Sequence, residues 1–227
     1  MNTAYINAWP LSNFSAVLRG FTVGGTEVSS SYWQGVNRTN FALLKQQFGL
    51  RPITLSVAVE EKTYFDAAVQ LSRLTAALWG KCEIALPDGF FYTAVLSESP
   101  GEPELVGPGI GETILLCDFS LVGYRHGPLV TTSGPKVWCE STTPQTDCIL
   151  SVTASAAAES YELGGATFKN VVQGEKLEFD GINKRILRNG APGAVNVTWI
   201  NFPYLTPGEN NITATDPVTV QFYPCYL

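Results

Sequence analysis

GEKLEFDGINKRILRNGAPGAVNVTWINFPYLTPGENNI, residues 174–212, contains the most regular pattern in this chain. Within it, Lys176–Asp180 alternates polar and apolar residues. A period of two with one apolar face predicts a half-buried antiparallel strand, with Asp180 on the solvent face and Gly181 beginning a reversal. A second strand, Lys184–Arg188, is followed by Asn189-Gly190, a dipeptide typical of a two-residue hairpin turn because both residues tolerate positive φ. The stretch therefore predicts consecutive antiparallel hairpins.

A third strand is predicted farther along the same stretch. Val195, Val197 and Trp199 alternate with Asn196 and Thr198, which places the three apolar side chains on one face. Because Trp199 shares that face, we expect its ring in the core rather than on an open platform.

An ordered set of residues in this stretch matches a known pattern. A glycine precedes an L-x-[IF]-D strand, an N-G turn follows, and F-P-x-L-x-P-G-x-N-x-[IL] ends the set. This order resembles the C-terminal domain of siphophage distal tail proteins, the Dit family, over about a fifth of the chain, and the remainder matches only in general plan. The matching residues are Gly174, Leu177, Phe179, Asp180, Asn189, Gly190, Phe202, Pro203, Leu205, Pro207, Gly208, Asn210 and Ile212.

The resemblance implies a structural role at the tail tip of a virion. It implies a homohexameric ring with a central channel, in which N-terminal domains join the tail tube to the baseplate hub. Galectin-like C-terminal sandwiches would face receptor-binding or other baseplate proteins, and DNA would pass only as cargo. No cofactor and no membrane partner are implied, and assembly is expected in the host bacterial cytoplasm. A tail tube or tail-terminator protein is an alternative, which would form rings but lack a separable C-terminal sandwich.

Sugar binding is a second class of function to consider, because the implied C-terminal fold is galectin-like. Galectins use a His-x-Asn-x-Arg cluster beside a stacking tryptophan, and no histidine follows His126 in this chain. Neither Trp138 nor Trp199 has such a cluster nearby in sequence. Since a fold does not by itself carry a function, sugar binding stays an alternative, with Trp138 as the predicted contact.

Length and composition predict a packed, mainly β protein. The chain has 227 residues, of which 45% are hydrophobic and 15% charged, as in globular proteins. Its net charge of −6 argues against a protein that grips nucleic acid through the phosphates. Many short strands at regular spacing predict two β-sandwich domains. We place a ring-forming domain at 1–127 and a galectin-like domain at 135–227, because His126–Pro135 has the composition of a linker.

One helix is predicted, at Tyr64–Trp79, with Thr63 as its N-cap and Gly80 as its end. Strands are predicted at Phe14–Val23, at Glu27–Trp33 and at the alternating segment Ile53–Glu60. The apolar residues between Trp33 and Phe48 fit either a strand pair or a loop packed on the core. The predicted buried stripe of the helix consists of Tyr64, Ala67, Ala68, Leu71, Leu74, Thr75 and Leu78.

A Pro-, Gly- and Glu-rich segment, ESPGEPELVGPGIGE, interrupts the N-terminal half at residues 98–112. It is too long for a tight turn and too poor in apolar residues to pack alone, so we interpret residues 97–113 as a projecting loop or hairpin arm. Contact with a neighbouring subunit and plain flexibility both fit such an arm. The predicted contact residues are Glu98, Glu102, Glu104, Leu105, Val106, Ile110 and Glu112.

Candidate catalytic residues are few. His126 is the only histidine, so any Ser-His-Asp arrangement has one available base, and its linker position predicts an exposed side chain.

Five cysteines, an odd number, fit reduced thiols, although a hairpin would allow Cys139 and Cys148 to pair. The N-terminal residues lack a signal-peptide pattern, and no apolar run approaches the ~18 residues of a membrane span. We therefore expect a cytosolically made assembly protein rather than an enzyme, without a bound metal.

Overall fold

The computed structural model describes residues 4–109 and 112–227. The chain divides into two compact units, Met1–Arg125 with Leu227 and His126–Tyr226. Each unit closes around its own hydrophobic core. The predicted mainly β fold class is confirmed, and Tyr64–Ala77 is the only α-helix among the described residues.

The first unit is built on one large sheet. Its strands are β1 (Tyr5–Ile6), β2 (Trp9–Pro10), β3 (Ala16–Val23), β4 (Val28–Gln34), β5 (Phe41–Phe48), β6 (Arg51–Glu61), β7 (Cys82–Ala85), β8 (Phe91–Leu96), β9 (Glu104–Gly109) and β10 (Glu112–His126), and its helices are the 3₁₀ turn Leu11–Phe14 and α1 (Tyr64–Ala77). The sheet has the order β2, β1, β7, β8, β10, β6 and β3, and β9 pairs with β10. The hairpin of β4 and β5 forms a separate two-stranded sheet.

Strand β6 contributes a row of buried side chains to the core of this unit. Ile53, Leu55, Val57 and Val59 alternate along it and are all buried, as the period-two pattern predicts. β6 pairs with β3 on one side and with β10 on the other, so its apolar face is continued by both neighbours. The buried side chains of α1 belong to the same core cluster.

Helix α1 begins as predicted. The Thr63 side chain accepts a hydrogen bond from the Asp66 N–H at 3.1 Å and donates one to the Asp66 carboxylate at 2.6 Å, which satisfies an otherwise unpaired donor of the first turn. The helix ends at Ala77, two residues earlier than predicted, because the Leu78 N–H turns back in a tighter, partly 3₁₀ bond to Thr75. Tyr64 was placed wrongly on the buried stripe, since its ring is exposed.

The second unit consists of short strands. They are β11 (Val130–Ser133), β12 (Lys136–Cys139), β13 (Thr146–Thr153), β14 (Ala158–Leu163), β15 (Ala166–Val171), β16 (Lys176–Asp180), β17 (Arg185–Arg188), β18 (Ala191–Pro192), β19 (Val197–Thr198), β20 (Tyr204–Leu205), β21 (Gly208–Asn211), β22 (Thr219–Phe222) and β23 (Cys225–Tyr226). The main sheet has the order β11, β22, β13, β16, β17 and β18, and β20 also pairs with β13. Two smaller sheets, β14-β15-β19 and β12-β21, complete the unit.

The hairpins predicted in residues 174–212 are present. Strand β16 has the predicted bounds, and Leu177 and Phe179 are fully buried. Asn189 and Gly190 both have positive φ, 50° and 78°, and connect β17 to β18 as a two-residue turn. This segment supplies the centre of the second core.

Asp180 does not lie on the solvent face. Its side chain is fully buried and accepts hydrogen bonds from the Asn183 N–H at 2.9 Å, the Asn183 amide at 2.8 Å and Arg185 Nε at 2.7 Å. Burial alone would raise the pKa of this carboxyl, but the hydrogen bonds from Asn183 and Arg185 outweigh it and lower the pKa. Asp180 therefore organises the turn from β16 to β17 from inside.

The third predicted strand is mostly wrong. Only Val197–Thr198 is extended and paired, while Val195 is 78% exposed and Trp199 is 36% exposed. Asn196 adopts a left-handed φ of 62°, and the Val197 N–H bonds to the carbonyl of Ala194. This local turn ends the alternation that the sequence pattern assumed.

The prediction that His126–Pro135 is a linker is also wrong. His126 is only 1% exposed, its Nδ1 lies 2.8 Å from the Gly127 carbonyl oxygen, and its ring packs edge-on against Tyr223 at 4.9 Å. Farther on, Val130–Ser133 forms β11 and pairs with β22. The segment belongs to the packed second unit because its alternating side chains complete a sheet edge.

All five cysteines are free. Cys139 and Cys148 are both buried in the second core without a disulfide between them. Burial raises the pKa of Cys148 to about 12, so its thiol stays protonated and unreactive at neutral pH.

Candidate assembly surface

The predicted arm is a strand for much of its length. Glu104, Leu105 and Val106 of β9 pair with β10, so of the two predicted forms, loop or hairpin arm, Glu104–Gly109 has the hairpin form. Glu98, Glu102 and Glu104 are exposed, and Leu105 and Val106 also face solvent. Of the predicted contact residues, Ile110 and the side chain of Glu112 lie outside the described part of the chain.

A cleft of about 430 Å³ lies at the start of this arm, and both polar residues and the apolar residues Val57 and Leu116 line it. Its wall combines the carboxylates of Glu102, Glu104 and Asp118 with the guanidinium of Arg19. Among the described residues, no group of three or more His, Cys, Asp or Glu side chains is placed to hold a metal ion.

The most exposed apolar surface of the first unit is the hairpin of β4 and β5. Every residue of both strands is exposed, and none belongs to a hydrophobic core. At its base, the Gly49 N–H bonds to the Glu27 carbonyl at 2.7 Å and the Gly24 N–H bonds to the Pro52 carbonyl at 2.9 Å. Arg51 Nη1 donates to the Gly24 carbonyl at 3.1 Å, so the hairpin begins from a well-bonded base.

One face of this hairpin carries most of its large apolar side chains, together with the polar residues Ser30, Gln34 and Gln46. Tyr32 and Phe41 pack edge-on with ring centroids 5.7 Å apart, and Tyr32 pairs directly with Leu43. Val28 and Phe48 are cross-strand partners at the base, on the same side. We call this set the hairpin face: Val28, Tyr32, Phe41, Leu43 and Phe48, each between 39% and 63% exposed.

The opposite side of the hairpin is mostly polar. Ser29 pairs with Gln47 and Ser31 pairs with Lys45, and on the same side Trp33 pairs with Ala42. An amphipathic two-stranded hairpin with its apolar side in water is marginal alone, because two strands bury little surface. The hairpin face is therefore a candidate contact surface.

The sequence contains a signal for this face that period-two reasoning missed. A β-bulge at Leu44 shifts the register between the Ser31–Lys45 and Tyr32–Leu43 pairs. Leu43 and Phe48 are five residues apart, which in a regular strand would place them on opposite sides. The bulge returns them to one side, so the apolar pattern looks irregular in sequence.

In the second unit, the structure does not bring the tryptophans into a sugar-binding cluster. Trp138 is 68% exposed on β12, beside the surface ion pair of Lys136 and Glu209 at 3.0 Å. Trp199 packs against Phe202 with centroids 6.1 Å apart, so it is neither buried in the core nor a fully open platform. No helix in the described part of the chain is long and apolar enough to cross a membrane.

Comparison with known proteins identifies the fold. No family model matches the chain, and no curated protein matches its sequence. The Dit (gp 19.1) protein of phage SPP1, a paradigm of hub adsorption apparatus in phages that infect Gram-positive bacteria, superposes with a TM-score of 0.73 at 15% identity, over 100% of both chains. Two chains from the activated baseplate of phage P2, solved with Ca and with Sr, give TM-scores of 0.54 and 0.53 at 9% and 6% identity, over 98% of both chains.

These similarities extend over the whole length of the chain, including the N-terminal half, where the sequence matched only a general plan. The resemblance predicted from residues 174–212 is thus confirmed in three dimensions. The chain has the fold of the Dit-type hub proteins of phage tails.

Proposed function

We propose that this chain is a structural protein of a long non-contractile phage tail that assembles with copies of itself into a hexameric ring. The observation that carries the proposal is the hairpin face, an ordered apolar surface that its own unit leaves uncovered. The fold of the SPP1 hub protein supports the same role.

The size of the hairpin face supports an assembly role. Taking about 200 Å² for an aromatic side chain, its five side chains expose roughly 500 Å². At roughly 25 cal/mol per Å², burial would contribute about 12 kcal/mol before the costs of association, which are of order 4–15 kcal/mol. The burial free energy of one hairpin face is therefore comparable with the cost of association, so the contact becomes stable when it is repeated around a closed ring.

The proposed place of the ring is the virion tail tip, between the tail tube protein and the baseplate hub, with receptor-binding or other baseplate proteins as further partners. Assembly takes place in the host bacterial cytoplasm. DNA passes through the channel without being held, because a net charge of −6 per chain repels phosphates. The arm residues, among them Leu105 and Val106, add to the ring contacts. The work of this protein is assembly rather than catalysis.

The test is the mass of the purified full chain. Six copies of 24.6 kDa give about 148 kDa by light scattering, and electron micrographs should show rings. Tyr32→Ser combined with Phe41→Ser should reduce the mass to that of one chain. Trp138→Ala removes an equally exposed aromatic ring from the second unit and should leave the mass unchanged. Full assembly of the hairpin variant would refute the proposed role of the hairpin face.

Sugar binding is the second candidate function, because Trp138 presents an open ring. A glycan array with the purified chain tests it, and binding must disappear with Trp138→Ala. Binding that survives this substitution would place the sugar site elsewhere.

A further inference from the structure

The outer side of helix α1 is apolar as well. Ala67, Leu71, Leu74 and Leu78 point into the core, and the opposite side is where a surface helix normally carries charges. Here Phe65, Val69, Ser72 and Ala76 follow one another at spacings of four, three and four residues, all exposed. We call these four residues the helix face.

The helix face is flanked by further apolar rings and by little charge. Phe65 is 74% exposed, and Trp79, two residues past the end of the helix, is 79% exposed. Tyr64 is also exposed but lies about 100° round the helix from Phe65, toward the buried side. The only charged residues of α1 are Asp66 and Arg73. A helix with two apolar sides buries one in its own unit and has the second available for another surface.

We propose that the helix face of one copy is the docking site for the hairpin face of the next copy in the ring. This inference rests on the proposed function and adds the second half of its contact. Both surfaces are uncovered in the first unit, and they are different surfaces, so their pairing is head-to-tail, which is the arrangement that closes into rings.

The dimensions of the two surfaces agree. Strand β4 has seven residues and α1 has fourteen. At about 3.3 Å per strand residue and 1.5 Å per helix residue, these span roughly 23 Å and 21 Å.

The areas agree as well. The exposed apolar side chains of the helix side, Phe65, Val69 and Trp79, amount to roughly 400 Å² on the scale used for the hairpin face. Together the two surfaces supply roughly 900 Å², close to the roughly 1,000 Å² at which specific protein interfaces begin. Neither surface carries a cluster of charge that would have to be desolvated, so the contact is mainly apolar, with Ser72 and the hairpin residues Ser30 and Gln46 as polar members.

The test uses two full-length variants with damage on opposite sides of the proposed contact. The hairpin variant carries Tyr32→Ser and Phe41→Ser, and the helix variant carries Phe65→Gln and Val69→Gln, because glutamine is a good helix former. Each should lose the ring mass when it is alone. When mixed, the intact helix face of one meets the intact hairpin face of the other, so the mixture should form pairs of about 49 kDa and no rings.

The outcomes separate the inference from the proposed function. A helix variant that forms rings as well as the wild type, while the hairpin variant does not, overturns the helix face as acceptor but leaves the ring proposal standing. A mixture that forms no pairs even at the highest attainable concentration, where a single contact should be populated, also overturns the inference. A hairpin variant that still forms rings refutes the proposed function itself.

A second measurement keeps the inference testable if a variant does not fold. Tyr32 is replaced by the photo-crosslinker p-benzoylphenylalanine in an otherwise unchanged chain, and the crosslinked peptide is identified by mass spectrometry. The crosslink should lie between Tyr64 and Trp79 of a second copy. Crosslinks confined to other peptides would overturn the proposed docking site.

Discussion

The ion pair between Glu175 and Arg188 is the part of the second unit that a single substitution should damage most clearly. Arg188 Nε lies 2.6 Å from Glu175 Oε1 and Nη2 lies 2.9 Å from Oε2, so the pair is bidentate. The same guanidinium donates to the carbonyls of Lys169 at 3.2 Å and Asn170 at 3.1 Å, which holds the turn between β15 and β16. The Glu175 side chain is 7% exposed.

Arg188→Met would leave the Glu175 carboxylate buried without its cation. Breaking one side of a buried pair costs about 3–5 kcal/mol, because the remaining charge is desolvated and unpaired. The hydrogen bond from Arg188 is the main reason why the pKa of Glu175 is lowered, and the substitution removes it. Since the chain has two units, the measurement must report on the second unit alone.

Amide hydrogen exchange of the peptide covering residues 176–188 meets that need. If the free energy of unfolding of the second unit falls by 3 kcal/mol, amide exchange that requires unfolding becomes faster by more than about 100-fold. Adding Glu175→Gln removes the orphaned charge and should recover a large part of the protection, since buried pairs replaced on both sides are often tolerated. If exchange in Arg188→Met is faster by less than about 5-fold, the free energy of unfolding has changed by less than about 1 kcal/mol, and this reasoning is refuted.

Three further predictions follow from the same description. Folding lowers the pKa values of Glu175 and Asp180 from their ordinary 4.5 and 3.8. The contribution of these two carboxylates to stability is therefore complete above those values and is lost as the pH falls below about 4. Thermal unfolding at pH 3 and pH 6 should show this loss. Gly181→Ala should destabilise the second unit by more than about 2 kcal/mol, because a Cβ there would collide with the carbonyl oxygen of Pro203; urea unfolding checks this. Leu105→Ser should weaken ring assembly without unfolding the chain, which light scattering at falling concentration measures.

Each of these predictions has a matched control or a contradicting result. A protein equally stable at pH 3 and pH 6 would mean that the two carboxyls contribute no net stability. Gly20→Ala should be tolerated, since nothing lies within 4 Å of the added Cβ and its φ is not left-handed. Equal dissociation of the wild type and Leu105→Ser would exclude the arm from the ring contact.

The sequence was most informative where local chemistry and tertiary packing agree. Alternation at Lys176–Asp180, the Asn189-Gly190 turn and the Thr63 cap each rest on neighbours in the chain, and the structure contains all three. The buried alternation of β6 was predicted for the same reason. These features do not depend on which strand lies next to which.

The errors arose where a side chain's surroundings come from distant parts of the chain. His126 is buried because Tyr223, far away in sequence, packs against it. Asp180 has its hydrogen-bond partners, Asn183 and Arg185, close by in sequence, but an alternating pattern does not show that its carboxylate turns inward to meet them. Composition marks the Glu-rich arm as unusual, and its role as a contact surface stays a prediction, while a bulge at Leu44 hid the pattern of the hairpin face. Burial and bulges depend on the partner strand, which a single sequence does not display.

The hairpin stands apart from both hydrophobic cores. Its side chains can therefore change without loosening the monomer, so in the proposed ring natural variation at the hairpin would alter subunit number or the tightness of closure while the rest of the chain stays as it is. An engineer has the same freedom. Residues 35–40 at the hairpin tip, which lie outside both strands, are where a foreign peptide could be carried at little risk to folding.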